Sequence, residues 1–470
     1  MANLRVRAPR IDFGALRQEL KLAGDFPADV NQEAEQAARR SAELAGGLPD
    51  RTDIALVTID PPDSLDLDQA LGITRHQSGY RVYYAIADVL SFVSGGSAMD
   101  TASWERGQTI YFPDTRVPLH PLVLSEGGAS LLPDQVRPAV LWTIDLDSEG
   151  EQTAVSVERA AVRSRAKLSY QTVQADHDAG RLTDPIALLP EVGERRIAWQ
   201  RDRDAVNLPL PEQEVTGHGD GWRLELRAPY QVEEYNSQIS LLTGMAAARI
   251  MLDAGVGLLR TLPKPQEKDL TRVRAAARAL GAEWPDDGSV ADAIASVDPA
   301  TPRGAAALDV IAELLRGSGY TPIDGAPPED PGHTGVGAEY AHVTAPLRRL
   351  ADRYATEVCL AVTSGAEVPG ELREAIGKLP DVMRDTDRRA NQAERAAVDL
   401  TEAVLLSGRV GEVFDAAVLD VDGDSRATVT LEDPPVQARC DGDGLKPGER
   451  IQVRLTEADP TQRRVRFTAV

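Results

Sequence analysis

Cysteine is almost missing: the 470 residues contain two, Cys359 and Cys440. One pair cannot build a disulfide framework, so a small secreted scaffold is excluded and a reducing cytoplasm is the expected compartment. Long apolar runs are missing as well. The opening Met1-Ala2-Asn3-Leu4-Arg5 lacks the apolar core of a signal peptide, and no stretch reaches the length of a membrane span. The six histidines (76, 120, 177, 218, 333 and 342) never stand at His-x-x-x-His spacing, which argues against zinc. No Gly-x-Ser-x-Gly elbow, P-loop or Cys-x-x-Cys occurs. Positive charge is scarce too: 51 Lys and Arg face 74 Asp and Glu, a net −23. Such a chain does not coat nucleic acid nonspecifically. A nucleic-acid substrate stays open, because a channel needs only local positive charge. The expectation is a polarised surface with arginines gathered at one mouth.

The composition, 42% hydrophobic and 27% charged, is that of an ordinary globular protein. Its length exceeds one compact core, so two or three domains are expected.

The densest chemistry lies in Thr58-Ile59-Asp60-Pro61-Pro62-Asp63-Ser64-Leu65-Asp66-Leu67-Asp68-Gln69-Ala70, with four aspartates in nine residues. The apolar run Ile54 to Val57 predicts a strand that delivers Asp60 into a loop, and Pro61-Pro62 forbids helix there. Asp66 and Asp68 are two apart, so extended chain points both carboxylates to one side. Like charges so close call for a positive partner, and a hard divalent cation, magnesium above all, is the usual one. A solvated acidic loop is the plainer alternative. An EF-hand is excluded: counted from Asp60 or Asp66, the twelfth position is Leu71 or Gln77, not Glu.

Around this stretch the pattern is legible in blocks. Phe13–Leu22 and Asp29–Leu44 read as helices, separated by Gly24-Asp25-Phe26-Pro27. Tyr80–Val89, Gln108–Pro113 and Val140–Ile144 read as strands of a mixed sheet. Residues 160–400 read as mainly helical, with Ile239, Leu242, Ala246 and Ile250 on one face of Val232–Leu252 and a second long helix over Leu379–Leu406. Pro322–Val336 reads as a loop. After Gly408 five short strands suit a small OB-type barrel, and Asp420-Val421-Asp422-Gly423-Asp424 is a hairpin turn rather than a metal site. In Ala345-Pro346-Leu347-Arg348-Arg349-Leu350-Ala351-Asp352-Arg353, a proline at a first helical turn brings Arg348, Arg349 and Arg353 to a helix N-terminus, where a phosphate is favoured. A salt-bridged helix surface is the alternative there, as it is for Arg384, Arg388 and Arg395. Clustered carboxylates with arginines are the equipment of phosphoryl transfer to water.

The sequence resembles the ribonuclease II / ribonuclease R family of processive 3′-to-5′ exoribonucleases. The resemblance is carried by the aspartate stretch, Ile86-Ala87-Asp88-Val89, Arg106-Gly107-Gln108-Thr109-Ile110-Tyr111-Phe112-Pro113-Asp114, Val117-Pro118-Leu119, Ser130-Leu131-Leu132-Pro133, Ala166-Lys167-Leu168-Ser169-Tyr170, Val232-Glu233-Glu234-Tyr235 and Thr344-Ala345-Pro346-Leu347-Arg348-Arg349. It implies an α+β catalytic domain (51–405) of mixed sheet and helices, an all-β OB-fold RNA-binding barrel (406–470), and a short helical N-terminal segment (1–50) in place of cold-shock barrels. It implies Mg2+, with Mn2+ as a substitute, held by Asp60, Asp66, Asp68 and the residue at 69. That residue is Gln69, where the family has a fourth aspartate. By the same resemblance Asp68 and Arg348 are catalytic, Arg348 on the scissile phosphate. Tyr111 stacks on terminal bases with Trp199 or Trp222 as partner, Tyr170, Glu233 and Glu234 contact ribose, and Arg349 and Glu394 also face RNA. The implied activity is hydrolysis of single-stranded RNA to nucleoside 5′-monophosphates by a monomer with no obligate protein partner and no membrane. The alternative is a catalytically weakened RNA-binding member, with Gln69 as the cause.

Overall fold

Five strands close into a barrel within residues 56–169 of this computed structural model, which describes all residues except 1–5, 10, 23, 204, 207–211, 219–220, 228, 300, 424, 432–433 and 435. The strands Leu56–Asp60, Gln69–His76, Gly79–Ala87, Val136–Leu146 and Gln152–Ser169 follow one another around the ring. The first and last then pair in parallel, with Ile59 opposite Leu168 and Asp60 opposite Ser169. The sheet is mixed, as its alternation predicts, and closure leaves it no free edge.

Alternation sends successive side chains of one strand into two different cores. Tyr84 and Ile86 enter the larger core, which holds Tyr235, Ile239, Leu242 and Ala246 of the helix Gln231–Ala254 and Leu350, Ala351 and Val358 of the helix Leu350–Thr363. Ala85 and Ala87 enter a smaller one with Leu67 and Leu347. Those two leucines come from the aspartate stretch and the arginine stretch, so one apolar cluster clamps both chemically dense segments.

The region after residue 160 is less helical than its composition predicts. The strand Gln152–Ser169 alone runs 18 residues. Val256–Thr261 pairs antiparallel with Gly319–Asp324, which overlaps the start of the segment read as a loop, across intervening helices. Such pairing joins segments that no local pattern connects. Near the N-terminus the helices are Gly14–Glu19, Ala28–Arg39 and Ser41–Gly46, and a strand, Val6–Pro9, precedes them, paired with Gly221–Arg227. These helices are docked onto the catalytic domain: the Ser41 hydroxyl donates to the Gly128 carbonyl at 2.8 Å, and Glu33 accepts from the Met99 N–H at 3.1 Å.

The helix Gly370–Leu406 runs 37 residues and ends with Leu406 inside the core of the C-terminal barrel. That barrel closes five strands, Val413–Val421, Arg426–Leu431, Gln437–Asp441, Arg450–Asp459 and Arg464–Ala469. Its first hairpin turns through Gly423 at φ 75°, as the Asp-Gly signal predicts. Among the described residues no helix is long and apolar enough to cross a membrane.

Gly244 governs how the arginine stretch approaches. A Cβ built there would lie 2.1 Å from the Tyr340 ring and 2.5 Å from the Ala341 carbonyl, whose N–H donates to the Gly244 carbonyl at 3.1 Å. Gly244→Ala is therefore expected to cost about 1–3 kcal/mol of stability, measured by urea unfolding, as overpacking of a tight backbone contact does.

Candidate active site

The strand Leu56–Asp60 releases Asp60 at its end, and the Lys167 ammonium donates to the Pro62 carbonyl at 2.6 Å, fixing the diproline loop. Leu67 is fully buried, so its neighbours Asp66 and Asp68 are carried on an anchored backbone. Ser130 completes the anchor, because its hydroxyl accepts from the Leu67 N–H at 3.0 Å and donates to the Leu65 carbonyl at 2.6 Å. Asp63 stands exposed on the loop.

Asp68 is 5% exposed and is met by the arginine stretch. One carboxylate oxygen accepts from the Leu347 N–H at 2.8 Å, and the other lies 3.8 Å from the Arg348 Nε. The turn that presents these groups is held by Asp352, which accepts from the Ala345 N–H at 2.7 Å and from the Arg349 guanidinium at 2.8 Å. The helix starts at Leu350, so Pro346 lies in the preceding turn rather than in a first helical turn. This separates the three arginines. Arg353 is buried on Asp100 and Ser103, and Arg349 pairs with the fully buried Asp352, so both guanidiniums have a carboxylate partner within the protein. Arg348, with its side chain 47% exposed, is the one that faces solvent.

Burial dominates the protonation of the acids. It pushes Asp60 up to about 6, helped by repulsion from Asp66 and opposed by Arg348 and Lys167. It also raises Asp68 well above the carboxylate range, against the pull of Arg348 and the Leu347 N–H.

Gln69 stitches the same two segments together. Its amide N–H donates to the Thr344 carbonyl at 2.7 Å, and its carbonyl accepts from the buried Tyr84 hydroxyl at 2.5 Å. A carboxylate there would face the Thr344 carbonyl with no proton to donate. Among the described residues no three carboxylates, imidazoles or thiols converge as a preformed metal cage. The donor chemistry of Asp60, Asp66 and Asp68, hard oxygens crowded by like charge, suits a divalent ion.

The remaining expected contacts divide. Tyr111, 49% exposed, stands on the hairpin Ile110–Tyr111 and Arg116–Val117. The hairpin packs through Ile110 and Phe112 on Ala393, Ala396 and Ala397 of the long helix, beside the exposed Glu394. Tyr170 starts a helix with a Ser169 capping box and accepts from the Asn236 amide at 3.3 Å, within electrostatic range of Asp60 and Glu233. Glu233 also caps its own helix, accepting from the Tyr230 N–H at 3.1 Å. Glu234 instead lines a separate cavity of about 250 Å³ with Gln200 and Ile294. The Trp199 ring carries two guanidiniums, Arg196 at 4.1 Å and Arg203 at 3.8 Å from its centroid, so it is already engaged in cation–π contacts. The Trp222 side chain lies outside the described residues.

Two participants were missed. Ser130 belongs to a quoted motif without a role, and Arg116 forms an ion pair with Asp66 at 3.6 Å. Alternation in the hairpin would have revealed Arg116, since it is the cross-strand partner of Tyr111 and shares its face.

A barrel with buried aspartates locked to an arginine turn, followed by a five-stranded C-terminal barrel, defines the class. The chain belongs to the RNB domain family, which matches residues 49–364, and carries an RNase II-type exonuclease C-terminal S1 domain at residues 412–470. It is 26% identical over 482 residues to Ribonuclease R of Escherichia coli, covering 91% of this chain and 58% of that protein. The chain thus spans little more than half the length of that relative. Mycoplasma genitalium RNase R, solved in complex with ribose methylated single-stranded RNA, superposes with a TM-score of 0.85 at 20% identity, over 97% of this chain and 77% of that one. Yeast Ssd1, a pseudonuclease, superposes with a TM-score of 0.68 at 16% identity, over 90% of this chain and 53% of its own.

Asp60 sets a pH dependence. Its folded value near 6 lies above the ordinary 3.8, so it contributes stability that is complete below pH 3.8 and is lost as pH rises through about 6. Asp60→Asn should remove that loss and be about 1–3 kcal/mol more stable than wild type at pH 7, in urea titrations with EDTA.

Proposed function

We propose that the protein is a hydrolytic 3′-to-5′ exoribonuclease. It acts processively on single-stranded RNA, releases nucleoside 5′-monophosphates, and uses Mg2+ or, in its place, Mn2+. The observation that carries this reading is the lock between Asp68 and the Leu347–Arg348 turn, which sets a desolvated carboxylate beside the single solvent-facing guanidinium of that turn. Asp60, Asp66 and Asp68 would hold the divalent ion, which when bound supplies charge against the leaving oxygen and acidifies a water.

The chain's own groups do the rest. Arg348 meets the scissile phosphate and neutralises charge that grows in the transition state. Tyr111 offers a π-face to the terminal base whatever its identity. Tyr170, within electrostatic range of both Asp60 and Glu233, would meet together with Glu233 the ribose and its 2′-hydroxyl, the group that distinguishes RNA from DNA. A cavity of about 950 Å³ is lined by Arg260, Arg384, Arg388, Arg395 and Arg463 together with Asp387 and Asp399. Four of these arginines are ion-paired, Arg260 with Asp387, Arg384 with Asp381, Arg388 with Asp385 and Arg463 with Glu19, so a phosphate backbone received there would exchange against carboxylates. M. genitalium RNase R is solved in complex with ribose methylated single-stranded RNA, and single-stranded RNA is proposed as the substrate class here. Cys359 and Cys440 are both free and buried, in keeping with a cytoplasmic setting.

Gln69 favours a second reading, an RNA-binding protein with weakened hydrolysis, because a carboxylate of the acidic site is replaced by an amide with both ends bonded. The enzyme reading is preferred because Asp60, Asp66, Asp68, Arg348 and Tyr111 remain together.

Asp68→Asn separates the two activities. Cleavage of a labelled oligonucleotide is expected to fall by about 10³-fold or more, the scale of losing a transition-state contact. RNA affinity, read by filter binding, stays close to wild type. Loss of binding together with cleavage would contradict the role assigned to Asp68.

A further inference from the structure

Arg116 lies where a bound cation would have to work. Its guanidinium is 3.6 Å from an Asp66 oxygen and is also paired with Glu126, with the side chains of Arg116, Asp66 and Glu126 27%, 13% and 18% exposed. One guanidinium is thus shared between a carboxylate of the proposed ion site and a carboxylate outside it. Arg116 also lines a cavity of about 880 Å³ with Arg17, Phe26 and Leu122, so its side chain has space beyond Asp66. No three acids converge in the site among the described residues, and Asp66 is paired with the Arg116 side chain, whereas Asp68 accepts from the Leu347 backbone N–H.

We propose that Arg116 is an internal counter-cation that competes with the divalent ion for Asp66, and that Glu126 receives the guanidinium when the ion takes its place. This rests on the divalent-ion reading given above. A hard cation needs the Asp66 oxygens that the guanidinium now engages, so binding the ion includes the work of breaking that pair. Arg116 is therefore a positioning residue that sets how much Mg2+ or Mn2+ the protein requires. Glu126 lowers that requirement by giving the displaced charge a partner.

The test is Mn2+ affinity, measured on the full chain without RNA by the electron paramagnetic resonance signal of free Mn2+. Arg116→Gln should bind Mn2+ about fivefold more tightly than wild type, the size of one partly exposed ion pair. Arg116→Lys, which keeps the charge, should stay near wild type. Glu126→Gln should bind more weakly, and the double variant should match Arg116→Gln, because without the guanidinium Glu126 has nothing to receive. Equal affinity in wild type, Arg116→Gln and Glu126→Gln would overturn the competition alone. No Mn2+ bound by any of them would instead overturn the divalent-ion reading beneath it.

Discussion

The Asp68 carboxylate has almost no access to water, and a buried charge must find its partners inside the protein. It finds them in a segment 279 residues away, through the Leu347 N–H and the Arg348 guanidinium. Every other feature of the site serves that junction. Leu67 and Leu347 enter one apolar core and bring the two segments to hydrogen-bonding distance. Asp352 and Arg349 hold the turn from behind, and Gly244 lets it approach the barrel. Losing the Leu347 N–H would leave the buried Asp68 oxygen without its donor, which makes the junction a structural bond as well as a chemical one.

Gln69 shows how an apparently lost carboxylate can fit its surroundings. Its neighbours on the two sides are a carbonyl, which needs a donor, and a tyrosine hydroxyl, which needs an acceptor. An amide supplies both and a carboxylate supplies one. The acidic site is then three aspartates faced by Arg348, Arg116 and Lys167, a more balanced set of charges than the sequence suggests on its face. Such balance suits a chain that carries a strong net negative charge and is proposed to admit a polyanion.

Much of this was legible in the residues. The period-two runs marked Gly79–Ala87 and Val136–Leu146 of the first barrel and the strands of the C-terminal one, but not Gln69–His76 or Gln152–Ser169, and Gln108–Pro113 falls in a separate hairpin. The Asp-Gly signal marked a turn of the C-terminal barrel, and the aspartate and arginine stretches both stand out in the sequence. Closure of the catalytic barrel was not legible, because it depends on a parallel pairing between strands far apart in sequence. The pairing of Val256–Thr261 with Gly319–Asp324 escaped for the same reason. Among the site residues, side-chain direction was the hidden quantity. Arg348, Arg349 and Arg353 are alike in sequence, yet Arg349 turns to Asp352 three residues on, a pairing the sequence offers, while only a tertiary contact sends Arg353 to Asp100 and Arg348 is left outward. Glu233 and Glu234 divide in the same way on adjacent positions of one helix.

The central claim is that this junction supports hydrolysis despite the amide at position 69. The most direct measurement follows a 5′-labelled single-stranded RNA on a denaturing gel, with wild-type protein in Mg2+, in Mn2+ and in EDTA. Expected is collapse of the label to one short product in either metal and none in EDTA, as stepwise removal from the 3′ end requires. Label that stays full length in every lane, while the same RNA is retarded on a native gel, would contradict the claim and leave a protein that binds RNA without cutting it.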